Sequence, residues 1–234
     1  MNIKNIIFSG LALAAWTSCN DFLEIDAPSK YSDEFVFSQE SEISRALNGV
    51  YGYALVNDLY GSNYQSKFIL NSDVDISISS SNAHAHDTYS RFDCDAQGSD
   101  IEKFWTAAYA LIELSNRFVY GVEHSELYTP KNASLMQYLG EAKCLRAMAY
   151  HDLVVMFGDV PFTFLPAQVR IEEGDGYLFP ILDRQAVQDS LIADLQSIAP
   201  YMANTRVVSV ERCSKEFAQG LIARIALTAG GYSL

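Results

Sequence analysis

The stretch from about Asn132 to Phe157 constrains the fold most, because its apolar residues recur at helical spacing over more than one face. Leu135, Leu139, Ala142, Leu145, Ala149 and Leu153 follow one side, and Cys144, Met148 and Val155 lie beside them. A helix with a single apolar stripe can rest on a surface, whereas one that is apolar over several faces has to be surrounded. This predicts a central helix packed between neighbours, which Ala142, Ala147 and Ala149 allow to come close. Gly158 is placed to end it in the left-handed region, and Pro161 prevents its continuation.

The same period predicts four companions. Ile43, Ala46, Leu47, Val50, Tyr51, Ala54 and Leu55 form a one-sided stripe, with Ser38 as its cap and Glu40 and Glu42 in the first turn. A second helix runs from Asp100 to about Tyr120, carrying Ile101, Phe104, Trp105, Ala108, Tyr109, Ile112 and Val119 on one face. Ser115 and Asn116 interrupt that face, and Asn116 is read as a helix-packing hydrogen-bond residue, since a buried amide needs partners. Two more helices run from about Asp183 to Ala199, with Val187, Leu191, Leu195 and Ile198 inward, and from about Ser214 to Ala229, with Ala218, Leu221, Ile225 and Thr228 inward. Val207 to Val210 is the one short strand candidate. The fold class is therefore mostly α.

Ahead of these helices, residues 1–18 have the layout of an export leader: Lys4, an apolar run from Ile6 to Trp16, then Thr17 and Ser18. Cys19 follows directly, which predicts a lipoprotein whose mature chain begins at a lipidated Cys19. Trp16 stands where such leaders usually carry Leu. An ordinary leader with a coincidental cysteine is the alternative. Residues 19–37 then form a linker between lipid and body, and 38–234 the helical domain. No later segment offers the ~20 apolar residues of a membrane helix.

Charge narrows the partners. With 29 Asp and Glu against 16 Lys and Arg, the chain has a net charge of −13, so clustered phosphates of nucleic acid or anionic lipid would be repelled. Four cysteines, three of them outside the lipidation position and all widely spaced, give no disulfide framework and no zinc spacing. Cys144 and Cys213 sit in or beside apolar helical stretches and read as buried thiols; Cys94, in a polar stretch, reads as exposed.

Several blocks carry a family resemblance: CNDFLEIDAP from Cys19 to Pro28, FWTAAYALIELSNRF from Phe104 to Phe118, EAKCLRAMAYHDLVVMFGDVPF from Glu141 to Phe162, and SKEFAQGLIARIALTAGGYSL from Ser214 to the end. In this order they resemble the N-terminal half of the SusD/RagB-like nutrient-binding lipoproteins of Bacteroidetes outer membranes. The resemblance implies tetratricopeptide-like helix pairs with long irregular loops. It also implies a lipid-anchored position on the cell surface beside a TonB-dependent outer-membrane transporter, and the binding of oligosaccharide or another nutrient without a cofactor. The chain itself shows no ~34-residue repeat. Family members continue well past Gly230 and Gly231, so the resemblance implies a domain truncated at its C-terminus.

Between the first two long helices lies a polar stretch, Asn71 to Gly98, longer than connections usually are and so a candidate binding loop. Tyr89, Arg91 and Phe92 stand there beside His84, His86 and Asp87. Sugars have an apolar C–H face and a hydroxyl rim, which suit aromatic rings with bidentate polar groups nearby. His86, Asp87, Tyr89, Arg91 and Phe92 are therefore the candidate ligand contacts; rings that only pin the loop to the body are the alternative. His84, His86 and Asp87 lack the remaining ligands of a structural zinc site. Asp93 to Asp100 begins like a calcium loop, but Phe104 stands where the bidentate Glu belongs. No nucleophile elbow, zinc-protease helix or phosphate-cradling loop occurs, so a binder is expected rather than an enzyme. A helical interaction module without a ligand site and a lipid-anchored hydrolase are the alternatives.

Overall fold

Three of the long helices open on side chains that satisfy their free N–H groups, at the starting points read from the sequence. Asn132 accepts from the Leu135 N–H at 3.2 Å, Asp183 from Ala186 at 2.9 Å and Ser214 from Phe217 at 3.2 Å. The computed structural model describes residues 32–69, 99–174 and 179–231, and those from Asp33 onward belong to one packed unit. In chain order this unit contains α1 (Asp33–Phe37), α2 (Glu40–Ala54), two wide irregular turns (Asn57–Gly61 and Tyr64–Ile69), α3 (Ser99–Glu123) and α4 (Ala133–Phe157). It continues with β1 (Val160–Pro161), α5 (Ala167–Glu172), β2 (Ile181–Leu182), α6 (Arg184–Ile198), a 3-10 turn (Ala199–Tyr201) and α7 (Lys215–Ala229).

The central position of α4 is confirmed. Every residue from Leu135 to Val154 except Tyr138 and Met148 is buried, with α3 packed along one side and α2, α6 and α7 against others. Burial extends to charged residues, and Glu141, Lys143 and Arg146 are held by opposite charges, as a low-dielectric interior requires. Asp194 of α6 accepts from Lys143 Nζ at 2.8 Å and from Arg146 Nη2 at 2.6 Å. Arg146 Nη1 donates to Asn116 Oδ1 at 2.7 Å, and the guanidinium lies 3.9 Å from the centre of the Phe164 ring. Asn116 also donates to the Thr163 carbonyl at 3.2 Å, so it is the packing residue the sequence suggested. Glu141, fully buried, accepts from Gln137 at 2.8 Å, the Tyr51 hydroxyl at 2.7 Å and Arg212 Nε at 2.8 Å.

Gly121 and Gly140 let side chains from neighbouring elements come close. The Phe37 ring sits against Gly121, where a Cβ would collide with it, and this docks α1 on the end of α3. Met202 lies against Gly140 in the same way, bringing the turn after α6 onto α4.

Several expectations fail locally. Ser38 does not cap α2: its hydroxyl donates to the Phe35 carbonyl at 2.8 Å and so closes α1, a helix the sequence reading missed, while α2 starts after Gln39 without a side-chain cap. Leu55 is 66% exposed because α2 ends one residue earlier and the chain turns away. Val155, half exposed, lies seven residues from Met148 and so on nearly the same line of α4, the line its neighbours cover least. Thr228 is exposed at the far end of α7, its hydroxyl turned back to the Arg224 carbonyl at 2.9 Å. Val207 to Val210 is a turn rather than a strand, since the N–H groups of Val207 and Val208 both go to the Asn204 carbonyl. Strand pairing occurs instead between β1 and β2, antiparallel, with Val160 opposite Leu182 and Pro161 opposite Ile181. Gly158 does end α4, with φ at 77°.

Candidate functional site

On α3, Trp105, Tyr109, Ile112, Glu113 and Asn116 fall on one side of the helix, and they form one wall of a cleft of about 380 Å³. Tyr150 of α4 lines it as well, with Pro161 of β1, Thr163, Ala167 of α5 and Phe179 completing the lining. The sequence places Trp105 and Tyr109 in the helix core face; the structure leaves both half-buried, with their uncovered parts turned to this space.

Each ring is held in place. Trp105 meets Phe157 edge to face with centroids 4.8 Å apart, and Tyr109 at 4.9 Å. The Tyr109 hydroxyl donates to the Pro161 carbonyl at 2.8 Å. Tyr150 uses its hydroxyl twice, donating to the Thr163 carbonyl at 2.9 Å and accepting from the Thr163 N–H at 3.1 Å. These bonds fix β1 and the segment after it against the two long helices, so the cleft is shaped by locked rotamers rather than by loose side chains.

Glu113 supplies the charge at the edge. Its two carboxylate oxygens accept from the Ala167 N–H at 3.1 and 3.2 Å, which holds the start of α5. Burial pushes its carboxyl above the usual range, opposed by that backbone bond and by the charge of Arg117. Aromatic faces with one fixed carboxylate can take the C–H face of a sugar ring and accept from its hydroxyls.

Two other cavities are more polar. One, about 480 Å³, lies between α1, the end of α3 and α5 and includes Asp33, Arg117, Tyr120, His124 and Gln168. The Asp33 to Arg117 ion pair there, at 3.1 Å, is exposed and contributes little. The other, about 490 Å³, includes Tyr53, Asp58, Glu102 and Lys103.

The residues singled out in the sequence, Cys19, His86, Asp87, Tyr89, Arg91 and Phe92, lie outside the described residues, as do His84 and Asp93 to Gly98. Phe104, at the last position of the calcium-like loop, is a fully buried ring stacked on Tyr64 at 5.2 Å. Among the described residues no group of three or more His, Cys, Asp or Glu side chains could hold a metal ion, and no helix is long and apolar enough to cross a membrane. The sequence reading missed Glu113 and Phe179. Glu113 had a signal, a carboxylate four residues after Tyr109 and eight after Trp105; Phe179 had none.

A family model described as starch-binding and associating with the outer membrane matches residues 21–227. The chain belongs to the SusD-like family. A SusD-like protein of Formosa agariphila is 22% identical over 214 residues, covering 87% of this chain and 39% of its own length. A SusD homologue from Bacteroides thetaiotaomicron superposes with a TM-score of 0.74 at 21% identity, over 86% of this chain and 38% of that one. A solved protein described as a laminarin-binding SusD-like protein gives a TM-score of 0.65 at 23% identity, over 82% of this chain and 40% of that one. The mostly helical architecture is thus the SusD-like one, and the chain spans about two fifths of the curated relatives it matches.

Proposed function

We propose that this SusD-like chain is part of a non-catalytic glycan-binding lipoprotein of the outer membrane. In this reading it is anchored through Cys19, exposed at the cell surface and works beside a TonB-dependent transporter. The observation that carries the reading is the family match over residues 21–227, in a family described as starch-binding and outer-membrane associated. The cleft between α3, α4 and β1 adds a chemical argument, because Trp105, Tyr109 and Phe179 offer apolar faces beside the Glu113 carboxylate. The candidate loop contacts His86, Asp87, Tyr89, Arg91 and Phe92 would add a second set of rings and polar groups.

Calorimetry with laminarin and starch oligosaccharides tests it. A stacking face contributes on the order of 1 kcal/mol, so Trp105→Ala and the pair Tyr89→Ala and Phe92→Ala should each weaken binding by roughly fivefold or more, with helical content unchanged. Affinity unmoved by either variant would return these rings to a packing role, and absence of binding to any glycan panel would sink the glycan reading. The anchor is tested separately. Cys19→Ser removes the thiol that an acyl chain needs, and several chains are required for stable attachment. The variant should move from the membrane fraction to the soluble periplasmic or secreted one, and its retention after a high-salt wash would rule out the lipid anchor.

A further inference from the structure

Two buried thiols meet across the helix stack. On α4, Gln137, Glu141 and Cys144 follow at spacings that place them along one line of the helix, and the turn before α7 is fastened along that line. Gln137 Nε2 donates to the Cys213 carbonyl at 2.9 Å, and the Cys213 N–H donates to the Tyr51 hydroxyl at 2.9 Å, which in turn donates to Glu141 at 2.7 Å. Arg212, the adjacent residue, donates to Glu141 as well. With its backbone held on both sides, residue 213 is fastened beside the next position on the line, Cys144, and the two thiols lie close enough to perturb each other's titration. Both side chains are buried free thiols.

Along the chain these cysteines have no evident partner, since 69 positions and two helices separate them. We infer that Cys144 and Cys213 form an intramolecular disulfide when the chain meets a disulfide oxidant, fastening the turn before α7 to α4. Their environments set the order of events. The neighbouring Cys144 thiol, assisted by Tyr51, holds the Cys213 thiol below its ordinary range against the effect of burial, while the Cys213 thiol and then burial push Cys144 up. The Cys213 thiolate attacks one sulfur of the oxidant and releases an oxidant thiolate; Cys144, giving up its proton, then attacks Cys213 Sγ and releases the second. One protein S–S bond forms, the oxidant S–S bond breaks, and the two protons leave with two oxidant thiols. Burial confines this exchange to folding or to an opening of the turn. Its occurrence in the cell rests on the outer-membrane reading, because export leads through an oxidising compartment; its chemistry does not.

The test uses the full chain carrying Cys19→Ser and Cys94→Ser, so that only this pair can react. The protein is equilibrated at a fixed ratio of oxidised to reduced glutathione, once by refolding into buffer and once in denaturing urea, then alkylated and digested with trypsin. Lys143, Arg146, Arg212 and Lys215 supply cleavage sites that release the tripeptides Cys144–Arg146 and Cys213–Lys215. The native fold should favour the joined tripeptides over the separate ones by roughly tenfold or more relative to urea, and the oxidised protein should unfold at a temperature several degrees above the reduced one. An equal or smaller joined fraction in native buffer, or tripeptides recovered alkylated or glutathionylated, would overturn the inference. Glycan binding measured on the same samples reports separately on the proposed function.

Discussion

Arg146→Ala is expected to lower the unfolding free energy by about 3–5 kcal/mol, the range for breaking one side of a buried ion pair. The guanidinium is 2% exposed and serves three partners at once: Asp194, Asn116 and the ring of Phe164. Its removal leaves Asp194 with Lys143 alone, leaves the Asn116 carbonyl without its donor, and opens a cavity against Phe164. For a chain of this size each kcal/mol moves the thermal midpoint by about 2–4 °C, so a fall of roughly 6–20 °C should be seen by circular dichroism. Arg146→Met restores volume without charge and should recover only part of the loss. Adding Asp194→Asn to Arg146→Met should recover more, because the uncompensated carboxylate is then gone. A loss below about 1 kcal/mol for Arg146→Ala would mean that the pair is no more than a surface-strength contact.

A second large effect should appear with pH. His151 of α4 is 2% exposed and its Nδ1 finds no hydrogen-bond partner among the described residues. Burial, with the nearby charge of Arg224 adding to it, pushes its pKa down to about 4. In the unfolded chain the same imidazole titrates near 6.5. Between these values the unfolded chain binds a proton that the fold refuses, so stability falls as pH is lowered through the window and is unaffected by this group above it. The loss should be about 2 kcal/mol at pH 5 and up to about 3 kcal/mol at pH 4. Asp152, adjacent in sequence, works in the opposite sense. Burial pushes its carboxyl up against hydrogen bonds from Tyr64 and Tyr60, so near its own titration the fold takes up a proton before the unfolded chain does. His151→Gln isolates the histidine: urea midpoints of variant and parent should converge as pH falls from 7 to 5. A stability difference that stays constant over that range would show that the imidazole is protonated inside the fold.

Helix existence was readable because it is a local property. The stripes Ile43, Leu47, Val50 and Val187, Leu191, Leu195 repeat at a period that any amphipathic helix must have, and Asn132, Asp183 and Ser214 have side chains that reach a free N–H two or three residues on. The errors sit where a local rule met a neighbour. Ser38 had two backbone partners within reach and took the Phe35 carbonyl; Val155 had the right residue type on a line of α4 that its neighbours leave open. The isolated pair Val207 and Val210 had strand propensity but formed a turn on Asn204. Propensity of that kind describes fit to a sheet already present.

What the sequence determined by itself was the set of helices, the burial of α4 between neighbours and, through residue-by-residue resemblance, the family. Each follows from spacing or residue identity along the chain. Only the tertiary structure decided which polar groups meet: Arg146 with Asp194 and Asn116, Glu141 with Tyr51 and Arg212, and the thiol of Cys144 with that of Cys213. The same holds for the cleft, whose walls come from residues 105–116, 150, 161–167 and 179. Helical period fixes which residues share a face, but not which face of another helix will be laid against it; that choice depends on how side chains such as Phe37 on Gly121 and Met202 on Gly140 fit together.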